Sequence, residues 1–275
     1  MIRLGVALTT LGVLTGCGVT ATVPTTVTGE DLWELVWSEE FEGDALNEAT
    51  WTPEIGTGAE RGIVGWGNNE LQYYTARSEN IVLSDGTLKI TALQEDYEGS
   101  AYTSARLVTQ DKVMVQYGRI EARMKLPAGQ GFWPAFWLLG ESFATESWPA
   151  CGELDVMEFR GQEPSVVAGT VHGPGYSGGG GFSGDYYTDG PSFSEEFHVM
   201  GMDWDSEMIS FWVDGNRYHT FRRSQLRADQ AWVFDQPFFL LLNLAIGGDY
   251  VGAPNDETQF PSAFEVDYVR IYRRK

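Results

Sequence analysis

The run Cys151-Gly152-Glu153-Leu154-Asp155-Val156-Met157-Glu158-Phe159 places three carboxylates within six residues, interleaved with large apolar side chains. Ionised carboxylates are costly to bury unless they are paired or hydrogen-bonded, so an ordinary core strand would not carry three. Side chains on a strand alternate between its faces. Glu153 and Asp155 then share a face, and Glu158, five positions after Glu153, points to the other. One extra residue restores the alternation, and such bulges recur beside active sites because they re-aim a side chain. The spacing predicts a bulge at Val156-Met157. The competing reading is the polar outer face of an edge strand. Two carboxyl groups facing one cleft are the equipment for breaking a glycosidic bond: one attacks or activates water, and the other protonates the leaving oxygen. The proton donor needs a raised pKa. A neighbouring carboxylate raises it by like-charge repulsion, and aromatic walls add desolvation. A third carboxyl group between the two can hydrogen-bond to one and poise it.

The surroundings fit that chemistry. Gly131-Phe132-Trp133-Pro134-Ala135-Phe136-Trp137 puts Trp133 and Trp137 on one face of a strand, and Trp148 lies just before the acidic run. A single Trp is more often a core residue, but three so close to three carboxylates point to a carbohydrate cleft. Gly65-Trp66-Gly67-Asn68-Asn69-Glu70-Leu71-Gln72-Tyr73-Tyr74-Thr75 mixes aromatic rings with amides. Amides can pair with sugar hydroxyls and rings can cover sugar faces; the alternative is a structured loop whose aromatics pack on the core. Cys151 adjoins the acidic run without any evident base to activate it, and reads as a small buried residue.

These residues must be positioned by strands. The chain has 275 residues, 33 glycines, 13% aromatics and a formal net charge of −21. That charge argues against nucleic acid or an anionic membrane as partner. It suits a neutral ligand, or simply reflects an acidic, well-solvated surface. Strands are predicted over 32–37, 80–83, 87–93, 105–109, 113–125, 132–139, 152–159, 166–172, 197–203, 208–213, 217–222, 238–245 and 263–272, with hairpin turns at Asp85-Gly86 and Asp214-Gly215. This density reads as an all-β sandwich of two packed antiparallel sheets. Only 224–231 hints at a helix. Residues 173–190, with four consecutive glycines, read as a flexible loop bordering a cleft. No internal linker or repeat divides residues 32–275, which are expected to form one domain.

The N-terminus reads as a targeting signal. Arg3 precedes an apolar stretch over 4–14, too short to span a bilayer. Leu14-Thr15-Gly16-Cys17 resembles a bacterial lipobox, which implies cleavage after residue 16 and lipidation of Cys17; a plain signal peptide is the alternative. Gly18 favours an outer-membrane destination. Residues 17–31 then form a tether rich in Thr and Val. One lipidated residue anchors a chain without spanning the membrane, and it leaves Cys151 no disulfide partner.

The acidic run, with Trp148-Pro149-Ala150 before it, closely resembles the active-site signature of glycoside hydrolase family 16, in the bulged form of bacterial laminarinases. Trp37-Ser38-Glu39-Glu40-Phe41-Glu42-Gly43, Asn68 to Thr75, Gly131 to Trp137, Leu242-Asn243-Leu244-Ala245-Ile246-Gly247-Gly248 and Val266-Asp267-Tyr268-Val269-Arg270-Ile271-Tyr272 resemble further segments of that family in its order, across residues 33–273. The resemblance implies a β-jelly-roll sandwich with a concave substrate cleft. It implies a retaining endo-β-1,3-glucanase, with Glu153 as nucleophile, Glu158 as acid/base and Asp155 assisting; with the N-terminal signal, the chain reads as an exported, lipid-anchored enzyme. Asn69, Trp133, Trp137 and Trp148 would line sugar subsites, and Arg106 and Asn243 would face the cleft. His172 would sit near the acid/base, or be a satisfied inner-face histidine. No cofactor is implied for catalysis. A structural calcium is implied at Glu40, the Gly86 carbonyl and Asp267. A β-glucan is the expected partner and a monomer the expected state. Rival readings are another β-glucan or galactan specificity (mixed-linkage glucan, agar, carrageenan), a non-catalytic glucan-binding protein that would have lost a catalytic carboxylate, and a lectin-like sandwich that would need a compact Asp/Asn metal loop.

Overall fold

The computed structural model describes residues 32–275; Cys17, the signal and the tether lie outside the described residues. Two sheets pack face to face. One has ten strands, with the central path Asn216–Arg222, Met208–Val213, His198–Trp204, Gly118–Lys125, Ser262–Arg274, Thr87–Tyr97, Ser100–Ser104 and Gln72–Tyr74; Trp33–Glu39 and Ile81–Ser84 pair alongside. The other has eight strands, with the path Phe182–Tyr187, Val166–His172, Glu153–Phe159, Phe132–Gly140, Phe238–Ile246, Arg106–Val108 and Thr52–Glu54, and Met114–Val115 beside Phe238–Ile246. This is the expected all-β jelly-roll sandwich.

Alternation along the strands decides which residues enter the core. Phe132, Phe136 and Leu138 point inward from one strand and Leu240, Leu242, Leu244 and Ile246 from its neighbour, where they meet Ile120, Met124, Met202, Phe264 and Val266 of the ten-stranded sheet. The run Phe238–Ile246 is buried on both faces. Its alternate residues Phe239 and Leu241 join Val108, Leu139 and Cys151 in a second, smaller apolar cluster on the outer side. Near-continuous apolar sequence therefore marks a central strand covered on both sides. Burial pushes the Cys151 thiol up to about 12, which leaves it inert, as its apolar setting suggests.

Both Asp-Gly pairs form the expected hairpins. Asp85-Gly86 joins Ser84 to Thr87 and Asp214-Gly215 joins Val213 to Asn216, each with positive φ at both turn residues. Four expectations need correction. The stretch 113–125 breaks at Tyr117-Gly118, where both residues take positive φ, so it is two strands rather than one. The stretch 224–231 holds only the single 3-10 turn Arg223–Gln225. The stretch 173–190 is not all loop, since Phe182–Tyr187 pairs antiparallel with Val166–His172 and forms a sheet edge. The sheets are not wholly antiparallel, because Gln72–Tyr74 pairs parallel with Ser100–Ser104.

Two of the three implied calcium ligands are engaged by arginines. Both Glu40 oxygens accept hydrogen bonds from Arg270 at 2.9 Å, which holds that carboxyl below its ordinary range. Asp267 is paired with Arg123 at 2.6 Å. Carboxylates engaged by guanidinium groups must give up those bonds before binding a cation, so Glu40 and Asp267 would each have to release an arginine to hold calcium.

Candidate active site

The acidic strand Glu153–Phe159 carries the predicted bulge. Against Phe132–Gly140, Phe136 pairs with Met157 and Trp137 with Asp155, which leaves Val156 extra. Against Val166–His172, Asp155 pairs with Thr170 and Glu158 with Ala168. Val156 and Met157 both turn into the core with Leu154 and Phe159, each no more than 2% exposed. Glu153, Asp155 and Glu158 emerge together on the opposite face and line one cleft of ≈ 600 Å³. Gly169 stands opposite the bulge. A Cβ there would come within 2.6 Å of Phe211 and of the Tyr218 hydroxyl, so a side chain on the core side has no room.

The neighbouring strands arrange the partners. Glu153 pairs with His172, whose Nε2 lies 3.6 Å from Glu153 Oε1 and 3.2 Å from Asp155 Oδ2. Trp133 Nε1 donates to Glu158 Oε1 at 3.2 Å, and the Thr170 hydroxyl lies 3.5 Å from Glu158 Oε2. Burial raises all three carboxyls. Asp155 adds to the rise at Glu153, and Glu158 adds to it at both Glu153 and Asp155; the imidazole of His172 opposes it at Glu153 and Glu158. At Glu158 the Trp133 and Thr170 donors and Arg160 also oppose it. Three carboxylates this close share protons as one unit, and the cluster can supply both a nucleophile and a proton donor.

Trp133, Trp137 and Trp148 all line the cleft. Trp133 packs on Tyr250 at 5.0 Å between centroids, and Trp148 sits on the rim, 43% exposed, 6.0 Å from the His172 ring. Trp137 Nε1 donates to Asn243 Oδ1 at 2.7 Å. Arg106 lies beneath, bound to Glu54 at 2.5 Å, with its guanidinium 4.6 Å from the Trp66 ring and 4.8 Å from that of Trp137. Arg106 and Asn243 thus reach the cleft as expected. The glycine-rich loop closes against His172: a Cβ on Gly181 would meet the imidazole at 2.5 Å.

Asn69 is misplaced in the sequence reading. It takes positive φ, its side chain bonds to both oxygens of Asp249 at 3.0 Å, and it is exposed outside the cleft lining. Its neighbours Asn68 and Glu70 line the cleft instead. Sequence reasoning missed Phe143 and left Trp66 open between cleft and core; both line the cleft. Glu70 had a signal, as the lone acid in a run of amides and rings.

Buried carboxyls in a tryptophan-walled cleft across a β-sandwich define a glycoside hydrolase. A family model described as "Glycosyl hydrolases family 16" matches residues 68–270, and the chain belongs to that family. It is 43% identical over 250 residues to a β-glucanase of Rhodothermus marinus, covering 88% of this chain and 85% of that one. The fold is similar to the endo-β-1,3-glucanase of Pyrococcus furiosus, with a TM-score of 0.87 and 46% identity over 92% of this chain and 99% of that one. It is similar also to the laminarinase catalytic domain of Thermotoga maritima, with a TM-score of 0.85 and 45% identity over 88% and 99%.

Proposed function

We infer that the protein is a retaining endo-β-1,3-glucanase acting on laminarin-type β-glucan. The observation that carries this reading is the bulged strand that turns Glu153, Asp155 and Glu158 into one tryptophan-walled cleft. The β-1,3 linkage is supported by the activities named for the similar Pyrococcus and Thermotoga enzymes. In this reading the Glu153 carboxylate attacks the anomeric carbon while Glu158 gives its proton to the leaving oxygen. The glycosidic bond breaks and a glycosyl ester forms on Glu153. Glu158, now ionised, takes a proton from water; the water oxygen attacks the same carbon, and Glu153 leaves as carboxylate. Two inversions give net retention. Asp155, between the two, raises the Glu153 carboxyl through its charge and lies 3.2 Å from His172 Nε2. Burial raises the Glu158 carboxyl above its ordinary range, the direction a proton donor needs.

A panel of polysaccharides with sizing of the products tests the reading. Laminarin should be cut into a ladder of short oligosaccharides. Preference for mixed-linkage glucan, agar or carrageenan would replace the linkage assignment, and turnover of none would favour a binding protein.

A further inference from the structure

One carboxylate in the cleft has no part in this chemistry. Glu70 lines the wall near Trp133: its Cγ and Trp133 Cζ3 each lie 3.6 Å from the point where Gly248 would carry a Cβ. Three side chains donate to it. Asn68 Nδ2 reaches Oε1 at 3.2 Å, and Gln72 Nε2 and the Tyr74 hydroxyl reach Oε2 at 2.7 and 3.1 Å. Two of the three directions are fixed. Gln72 Oε1 accepts from the Ile246 N–H at 2.7 Å, so its amide nitrogen must face Glu70. Trp137 can only donate, so Asn243 accepts it on Oδ1 and turns Nδ2 to the Tyr74 oxygen at 3.2 Å. The Tyr74 proton is then left for Glu70. A one-way chain of donors runs from Trp137 through Asn243 and Tyr74 and ends on a carboxylate. Burial raises the Glu70 carboxyl, but Arg106 and all three donors favour its ionised form.

An ionised carboxylate accepts about four hydrogen bonds. Oε2 has two donors and Oε1 only one. We propose that Glu70 is a specificity-determining residue whose Oε1 accepts a hydroxyl of a glucosyl unit bound at the Cζ3 edge of Trp133, the edge opposite the Nε1–H that donates to Glu158. This rests on the glucanase reading. The carboxylate also orients Trp137 through Tyr74 and Asn243, so it sets both a polar and an aromatic contact of one subsite. An amide at position 70 that keeps its oxygen toward Gln72 and Tyr74 would place an N–H₂ where Oε1 stands and remove that acceptor.

The test compares Glu70→Gln, Glu70→Asp and Tyr74→Phe with the wild type on laminari-oligosaccharides from the trimer to the hexamer, with kcat and KM separated and a melting curve for each variant. Loss of a hydrogen bond to a charged group should lower kcat/KM of Glu70→Gln on the hexamer by roughly 10- to 100-fold. On the trimer, which need not fill that subsite, the loss in kcat/KM should be several-fold smaller than on the hexamer. Tyr74→Phe breaks the chain but leaves Oε1 in place, and should lose less on the hexamer than Glu70→Gln. A loss equal at every length would mean a structural role alone and would overturn the proposal, as would no loss at all. If Glu70→Gln does not fold, Glu70→Asp decides by the same length dependence. Failure of the wild type on the whole series would instead remove the parent reading.

Discussion

Deleting Val156 tests the bulge directly. The bulge places Val156 and Met157 side by side in the core, with Leu154 before and Phe159 after. Without Val156 the strand alternates regularly: Leu154, Met157 and Phe159 inward, and Glu153, Asp155 and Glu158 outward. The deletion removes one valine that is 2% exposed, at a cost of about 1.5–3 kcal/mol in lost burial. At roughly 2–4 °C per kcal/mol for a domain of this size, the melting temperature should fall by about 3–12 °C. The three carboxylates keep their face, so hydrolysis of laminarin should remain measurable. Inserting an alanine after Val156 also makes the spacing even, so plain alternation keeps the three carboxylates on one face. It carries Glu158 from opposite Ala168 to opposite Val166, about 7 Å along the strand at two residues' rise, away from Glu153. That variant should fold yet lose activity. Circular dichroism, melting curves and reducing-sugar release separate the cases. A deletion variant that folds yet is as inactive as Glu153→Gln would refute the parity argument.

Three further outcomes follow from the geometry. Asp155→Asn should raise the melting temperature near neutral pH. The folded Asp155 pKa lies well above the ordinary value, so its stability contribution is full below that ordinary value and is lost as pH rises through the folded pKa; the variant's advantage should vanish toward acid, and a lower melting temperature at neutral pH would contradict the sign. Arg160 lowers the Glu158 pKa, so Arg160→Gln should move the basic limb of kcat/KM to higher pH, more at low salt than at high; an unmoved or lowered limb would exclude the coupling. For the N-terminus, mass spectrometry of the envelope fraction should find a mature chain that begins at Cys17 and carries lipid, whereas Cys17→Ser should release protein to the soluble fraction; an unlipidated mature wild type would remove the anchor.

Much of the site was legible because parity is a local property. Glu153, Asp155 and Glu158 cannot share a face without an extra residue, and the apolar pair Val156-Met157 was the place for it. The central strands of the cleft sheet, from Val166–His172 to Arg106–Val108, were legible from their apolar runs, and two turns from Asp-Gly pairs. What was not legible depends on distant partners. Phe182–Tyr187 carries glycine in and around it, and its pairing rests on contacts with Val166–His172. Asn69 looked like a cleft amide until its positive φ turned it to Asp249, 180 residues away. The calcium set was implied by resemblance as oxygen donors from separate segments, and nothing local showed that strand register sets Arg270 opposite Ser38, within reach of Glu40. Glu70 stood in plain view; its role emerged only once Ile246 and Asn243 fixed the directions of its donors.

The central claim is that Glu153 and Glu158 act together in a double displacement on a β-1,3-glucan. The most direct measurement is proton NMR of the reducing ends newly formed from a laminari-oligosaccharide, recorded before mutarotation. The account predicts that the β-anomer appears first and relaxes to the equilibrium mixture; first appearance of the α-anomer would contradict it.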